Sequence, residues 1–372
     1  MNSKPILVYY SPDYYIDTDI TVLCHLIEDF RVVWFYQYSS TNPNSMTYSP
    51  SKAKDYAEKW GITLEVADLR KRRRSPSNYF FYRRIAKKIN KYEPSIVYAC
   101  EVFPFWTYCY NKIHCKNKIL GIHDVTLHSY KHKIIESILH RIQIQFIQKF
   151  NNIFTFSLNQ QKLLRELYMK ESSMVGMSCK NLGMSNLKAP VIKGSISLLY
   201  LGRIHLYKGL DLLINALEEL ADEGLSNIKL TIAGKGPFWN SCKDLIKHDA
   251  LYNLHICFVP TEEIPDLMCS HHFLVLPYRD ATQSGPLAIA LNYSLPIIAP
   301  NFGCFKDIYN SKSGILYEKE ELKKALKEAS EISQSEYDLM KQETNKIKEK
   351  YSEKSIAENY IKAFKKSLLT MQ

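Results

Sequence analysis

No apolar run in this chain approaches the roughly 18 residues that a membrane-crossing helix needs, and residues 1–12 hold only a strand-sized stretch at 6–10. Neither a membrane anchor nor an export signal is therefore expected. The nine cysteines contain no C-x-x-C pair, so a structural zinc site and a disulfide framework are not expected, and the chain reads as a reduced, cytosolic protein with mostly buried thiols. Repeats and low-complexity segments are missing too. The turn after the first apolar run lacks G-x-G-x-x-G, which argues against a dinucleotide-dependent oxidoreductase. No acid occurs from Arg70 to Lys91 in a chain of net charge +11, so the positive charge is locally uncompensated there.

What is present is globular. A length of 372 residues with 46% apolar and 23% charged residues suits two domains with ordinary cores. Short apolar runs at 6–10, 31–36, 95–99, 119–122 and 153–156 are bounded by turn residues and separated by helix-sized segments, the pattern of a buried parallel sheet. A second series follows at 198–201, 229–233, 254–258, 273–276 and 296–299. Between the two series, 172–195 carries Gly176, Gly183, Pro190 and Gly194 with little periodicity and reads as a linker. A helix over 210–220 is expected because Leu210, Leu213, Ile214, Leu217 and Leu220 fall on one face. A last helix over about 352–369 carries Ile356, Tyr360, Phe364 and Leu368 at four-residue spacing.

The strongest chemical signal lies at two strand-to-helix turns of the second series. The run 198–201 ends at Gly202-Arg203, Lys208-Gly209 follows, and the amphipathic helix starts at once. The run 273–276 leads into Asp280, Thr282-Gln283-Ser284-Gly285 and Pro286, with Pro at the first helical position, where its missing N–H costs nothing. Free backbone N–H groups and a positive dipole end then face the turn. Two cations beside such a helix start make a site for a diphosphate. The Ser284 and Thr282 hydroxyls add donors to phosphate or sugar, and no carboxylate pair is spaced to hold Mg²⁺ between these elements.

The order of G-R…K-G, then the Ala233-Gly234-Lys235-Gly236 turn, then the TQSGP element resembles the C-terminal domain of retaining family 4 glycosyltransferases of the GT-B fold, over residues 197–317. The resemblance implies an α/β protein of two Rossmann-like doubly wound domains facing a central cleft, with the last helix crossing back to the N-terminal domain. Boundaries expected on that basis are 1–175 for the acceptor-binding domain, 176–195 for the linker, 196–350 for the nucleotide-sugar domain and 351–372 for the returning helix. It further implies that Arg203 and Lys208 grip the donor diphosphate, with Gly202 and Gly234 lining the same site. Retaining enzymes of this fold are thought to let the leaving phosphate take the acceptor proton. The segment His123-Asp124…His128 after the run 119–122 resembles the H-D…H element of one branch. That places His123 beside donor sugar and acceptor, in the cleft, with His128 the weaker candidate.

Two departures from the family pattern stand out. The usual pair of glutamates eight positions apart is replaced by Ala281 and Ile289, and neither side chain accepts a hydrogen bond; Asp280 and Gln283 flank the first position. The Gly-Gly pair that usually follows the first strand is replaced by Ser11-Pro12-Asp13-Tyr14-Tyr15.

On the acceptor side, Arg72, Arg73, Arg74, Arg83, Arg84, Lys87 and Lys88 are interleaved with Tyr79, Phe80, Phe81 and Tyr82. A basic, aromatic, amphipathic segment without an anchor suits an anionic membrane surface, and no nucleic-acid reading module accompanies the charge. The expectation is a metal-independent glycosyltransferase without a cofactor. It takes a nucleotide-diphosphate sugar as donor and a glycan or polyprenyl-linked acceptor, working at the inner face of the cytoplasmic membrane in bacterial surface-polysaccharide assembly. A catalytically impaired binding or scaffold protein of the same fold, and a sugar-nucleotide epimerase, are the alternatives.

Overall fold

The computed structural model describes residues 4–41, 50–71, 75–100, 105–125, 141–142, 144–187, 190–281 and 283–369. It divides into two compact units, Met1–Ser178 together with Glu353–Gln372, and Cys179–Ser352.

The first unit is built on β1 (Ile6–Pro12), β2 (Arg31–Tyr38), β3 (Thr63–Asp68), β4 (Ile96–Ala99), β5 (Asn117–Ile122), β6 (Asn152–Thr155) and β7 (Ser173–Met174), in the order β3-β2-β1-β4-β5-β6-β7. Neighbouring strands are parallel throughout. Helices α1 (Ile16–Leu26), α2 (Pro50–Trp60), α3 (Asn78–Asn90) and α4 (Leu158–Tyr168) connect them. Strands buried on both faces need apolar side chains at successive positions, which is why β1, β2 and β4 read as unbroken runs. Val8, Tyr10, Val33, Phe35, Val97 and Leu120 form one core with Tyr82, Ile85 and Ile89 of α3.

The second unit has β8 (Ile196–Leu201), β9 (Ile228–Ala233), β10 (Tyr252–His255), β11 (Phe273–Val275), β12 (Ile297–Pro300) and β13 (Gly314–Tyr317), parallel, in the order β10-β9-β8-β11-β12-β13. Its helices include α5 (Leu210–Asp222), α6 (Ile264–Cys269), α7 (Gly285–Asn292), α8 (Gly303–Ile308), α9 (Leu322–Glu331) and α10 (Gln334–Lys350). Alternation along β8 sends Leu198 and Tyr200 to one face, against Leu213, Ile214 and Leu217 of α5. Leu199 and Leu201 go to the other face, against Leu287, Ala290 and Leu291 of α7. The last helix, α11 (Glu353–Leu369), belongs to the first unit, as expected. There Phe364 meets Phe30 and Phe154, and Lys365 pairs with Asp29 at 2.5 Å.

In the second sheet the strand order reverses between β8 and β11. Connections from these two strands leave in opposite directions, so a crevice opens at their carboxyl ends. Among the described residues no helix is long and apolar enough to cross a membrane.

Candidate functional site

The connection from β8 to α5 is shaped by backbone conformations that only glycine adopts without strain. Gly209, at φ 68°, caps α5, and a Cβ there would lie 1.8 Å from the Pro277 carbonyl oxygen. Gly234, at φ 147°, is equally constrained, since a Cβ would lie 1.9 Å from the Gly202 carbonyl oxygen. The turns after β8, β9 and β11 are thus in backbone contact. Gly202 donates its N–H to Ala233 at 3.0 Å and Ile204 to Lys235 at 3.1 Å, which ties the Arg203 turn to the β9 end.

Arg203 is exposed, whereas Lys208 is only 9% exposed. The Lys208 ammonium lies 3.7 Å from the Tyr278 ring centroid and 5.1 Å from that of Tyr207. Burial pushes Lys208 down from 10.5 to about 8; the nearby Cys304 thiol opposes that fall and the Arg203 guanidinium adds to it. His205 is lowered as well, by burial first and then by Arg203 and Lys208. Three basic groups therefore crowd one turn, and among the described residues no carboxylate pairs with Arg203 or Lys208.

Tyr278 links this turn to the second one. Its hydroxyl lies 3.3 Å from Ser284 Oγ, and Ser284 is the N-cap of α7, accepting from the Leu287 N–H at 3.3 Å. Helix α7 begins at Gly285, so Pro286 holds the second helical position rather than the first; with no N–H at Pro286 and the Leu287 N–H taken by Ser284 Oγ, the Gly285 N–H is the first-turn donor left toward the turn among the described residues. Lys208, Ser284 and the start of α7 are thus separated by the width of one tyrosine. Asp280 and Gln283 are half-buried in the same loop, and Gln283 Nε2 is buried with no hydrogen-bond partner among the described residues. Thr282 lies outside the described residues. Ala281 (4% exposed) and Ile289 (9%) are packed in the apolar core of this face. The positions of the usual glutamates here serve packing.

A clamp that the sequence did not announce fixes the two turns against each other. Arg279 donates to both Asp211 oxygens at 2.7 and 2.6 Å and to the Leu206 carbonyl at 2.7 Å, and its own N–H reaches the Tyr207 carbonyl at 2.8 Å. Arg279 and Asp211 are 68 residues apart, and no local periodicity connects them.

His123 belongs to the first unit, just past β5. Phe156 stacks on its imidazole at 3.8 Å with an interplanar angle of 2°, and Tyr15 stacks at 4.5 Å with 11°. With both ring faces covered, the imidazole acts only through its edge nitrogens. Tyr15 comes from the segment that replaces the Gly-Gly loop. His128 and Arg72, Arg73 and Arg74 lie outside the described residues. On α3, Tyr82, Ile85 and Ile89 are buried, while Phe80 is 66% exposed and Arg83, Arg84, Lys87 and Lys88 are exposed. Lys88 pairs with Glu65 of β3 at 2.8 Å, so part of this charge is compensated from another strand.

Residues 195–332, most of the second unit, match the family described as Glycosyl transferases group 1. The chain has the two parallel-sheet Rossmann-like domains of the GT-B architecture. No curated protein matches the chain in sequence. Solved structures share the fold at low identity. The lipopolysaccharide outer core galactosyltransferase WaaB in its apo form is 13% identical with a TM-score of 0.68, over 97% of this chain and 99% of that one. Sucrose-phosphate synthase from Thermosynechococcus elongatus is 11% identical with a TM-score of 0.71, over 99% and 100%. Anabaena HepE in complex with UDP and glucose is 11% identical with a TM-score of 0.68, over 97% and 100%.

Proposed function

We propose that this glycosyltransferase moves a sugar from a nucleotide-diphosphate sugar to a glycan or polyprenyl-linked acceptor, with retention, in bacterial surface-polysaccharide assembly. The observation that carries the reading is the buried Lys208 ammonium, without a carboxylate partner among the described residues, at the carboxyl end of β8 and one tyrosine away from the start of α7. As the sugar–phosphate bond breaks, charge develops on the leaving diphosphate. Preorganised cations and amides stabilise that charge more than the ground state. Lys208 and Arg203 supply the cations, and the Ser284 hydroxyl with the Gly285 N–H at the start of α7 supplies the donors, which makes a bound metal unnecessary. Gln283, whose Nε2 has no hydrogen-bond partner among the described residues, and Asp280 are the polar side chains nearest the positions where the glutamates are missing. That HepE was solved with UDP and glucose, and that WaaB is a galactosyltransferase, support this choice of donor and reaction.

His123 orients the acceptor through its ring edge, held in one plane by Tyr15 and Phe156. The exposed face of α3, with Phe80, Arg83, Arg84 and Lys87, meets anionic lipid and brings the enzyme to a lipid-linked acceptor. A thermal-shift panel of nucleotides and nucleotide sugars tests the donor assignment. A ligand at a hundredfold over its Kd adds about 2.7 kcal/mol of stability, and a panel without any shift contradicts the reading. Incubation with donor alone separates transfer from epimerisation, since an epimerase forms product without an acceptor.

A further inference from the structure

A buried ammonium needs something to stabilise its charge, and the usual solution is a carboxylate. Lys208 has two aromatic faces instead: Tyr278 at 3.7 Å and Tyr207 at 5.1 Å from its nitrogen. The distinction matters for ligand binding. A carboxylate cancels the charge and has to be displaced by an incoming phosphate. A ring face attracts the cation through its quadrupole and leaves the net charge intact.

We infer that Tyr278, with Tyr207 beside it, is the positioning residue of the diphosphate site, holding the Lys208 ammonium in place without neutralising it, so that the counter-charge comes from the ligand. This inference rests on the proposed donor site. Tyr278 is itself fixed on several sides. Its ring meets Phe305 edge-on at 5.3 Å and Tyr207 at 6.4 Å, and its hydroxyl meets Ser284 Oγ at 3.3 Å. The segments that carry the two tyrosines are joined by the Arg279–Asp211 clamp and by the Tyr207 carbonyl, which accepts the Arg279 N–H. A shift of either turn therefore moves ammonium and ring together. Burial raises the Tyr278 hydroxyl far above its ordinary range, so the ring stays a neutral phenol at every pH where the lysine titrates. The other groups facing Lys208 are Arg203 and His205 on its own turn and Cys304 at the start of α8.

The experiment compares Tyr278→Phe, Tyr278→Leu and Tyr278→Met with the wild-type full-length chain and with Lys208→Met, by calorimetric titration of UDP, GDP and dTDP between pH 7 and 9.5. Tyr278→Phe keeps the ring and loses only the hydroxyl contact to Ser284; its affinity should stay within about threefold of wild type. Tyr278→Leu and Tyr278→Met keep an apolar side chain and lose the π face. Each should weaken binding roughly ten- to thirtyfold, and the loss of binding on the alkaline side should begin at a lower pH. The methionine variant serves where leucine prevents folding, as judged by circular dichroism. If the ring-less variants bind as tightly as Tyr278→Phe while Lys208→Met does not bind, the platform role is wrong and the donor site stands. If wild type binds none of the three nucleotides, both fall.

Discussion

Lys208→Met is the perturbation with the sharpest expected pair of effects, because the burial that, on the proposed function, prepares the ammonium for a diphosphate also costs the free protein stability. The folded value of about 8 lies below the ordinary 10.5. Between these values the unfolded chain binds more protons than the native one, so stability rises with pH across that window, and at neutral pH the charged lysine is a net cost. At about 1.4 kcal/mol per pH unit the cost is on the order of 3 kcal/mol. Methionine at 208 removes it, and the melting temperature at pH 7 should rise. Diphosphate binding runs the other way. It favours the charged form and restores the lysine toward its ordinary value, so wild-type affinity should be flat up to about pH 8. Above that it should fall close to tenfold per unit, with proton uptake visible in buffers of different ionisation enthalpy. The variant should show neither the slope nor the uptake, and transfer should drop by roughly a hundred- to a thousandfold. Wild-type turnover in the variant, or an affinity that stays level from pH 7 to 10, refutes the reasoning.

Other expectations concern the first unit. His123→Ala should lower the transfer rate strongly and leave UDP affinity nearly unchanged, as kinetics and titration on the same preparation will show. Reversing charge at Arg83, Arg84 and Lys87 should abolish co-sedimentation with anionic vesicles at low salt without altering donor hydrolysis; equal sedimentation of variant and wild type would end the lipid-surface proposal. Asp19, buried beneath Tyr9, is lifted to about 7 by burial, against hydrogen bonds from Ser11 and Tyr9 that pull it down. Its folded value exceeds the unfolded one, so its contribution to stability is complete below about pH 4 and is lost as pH rises through 7. Asp19→Asn should flatten the fall in melting temperature between about pH 4 and 7, an effect on the order of a few kcal/mol.

Sequence periodicity served best where a strand is buried on both faces. Residues 198–201 predict β8 within two residues, and the face of four leucines and Ile214 predicts α5 from its first residue because helix and core share one period. It served worst where strands are short or half-buried. β3 (TLEVAD) carries polar residues because it is the edge strand, and β13 has only four residues. β10 begins two residues earlier than the apolar stretch 254–258 implies, since its register is set by pairing Tyr252 with Leu230, while Ile256 and Phe258 fall in the loop. At the site, the cations and the helix start were readable from turn chemistry. Tyr278 was not, because an aromatic after a strand-ending proline looks like any core residue until its ring is seen beneath Lys208. The Arg279–Asp211 clamp joins two turns that only the parallel crossover brings together.

The most direct measurement is a crystal structure of the protein with a nucleoside diphosphate. The terminal phosphate should lie within hydrogen-bond distance of Lys208 Nζ and of the Gly285 N–H at the start of α7, with Arg203 drawn in over it. A nucleotide seated elsewhere on the chain, at a concentration that saturates binding in solution, would contradict the account.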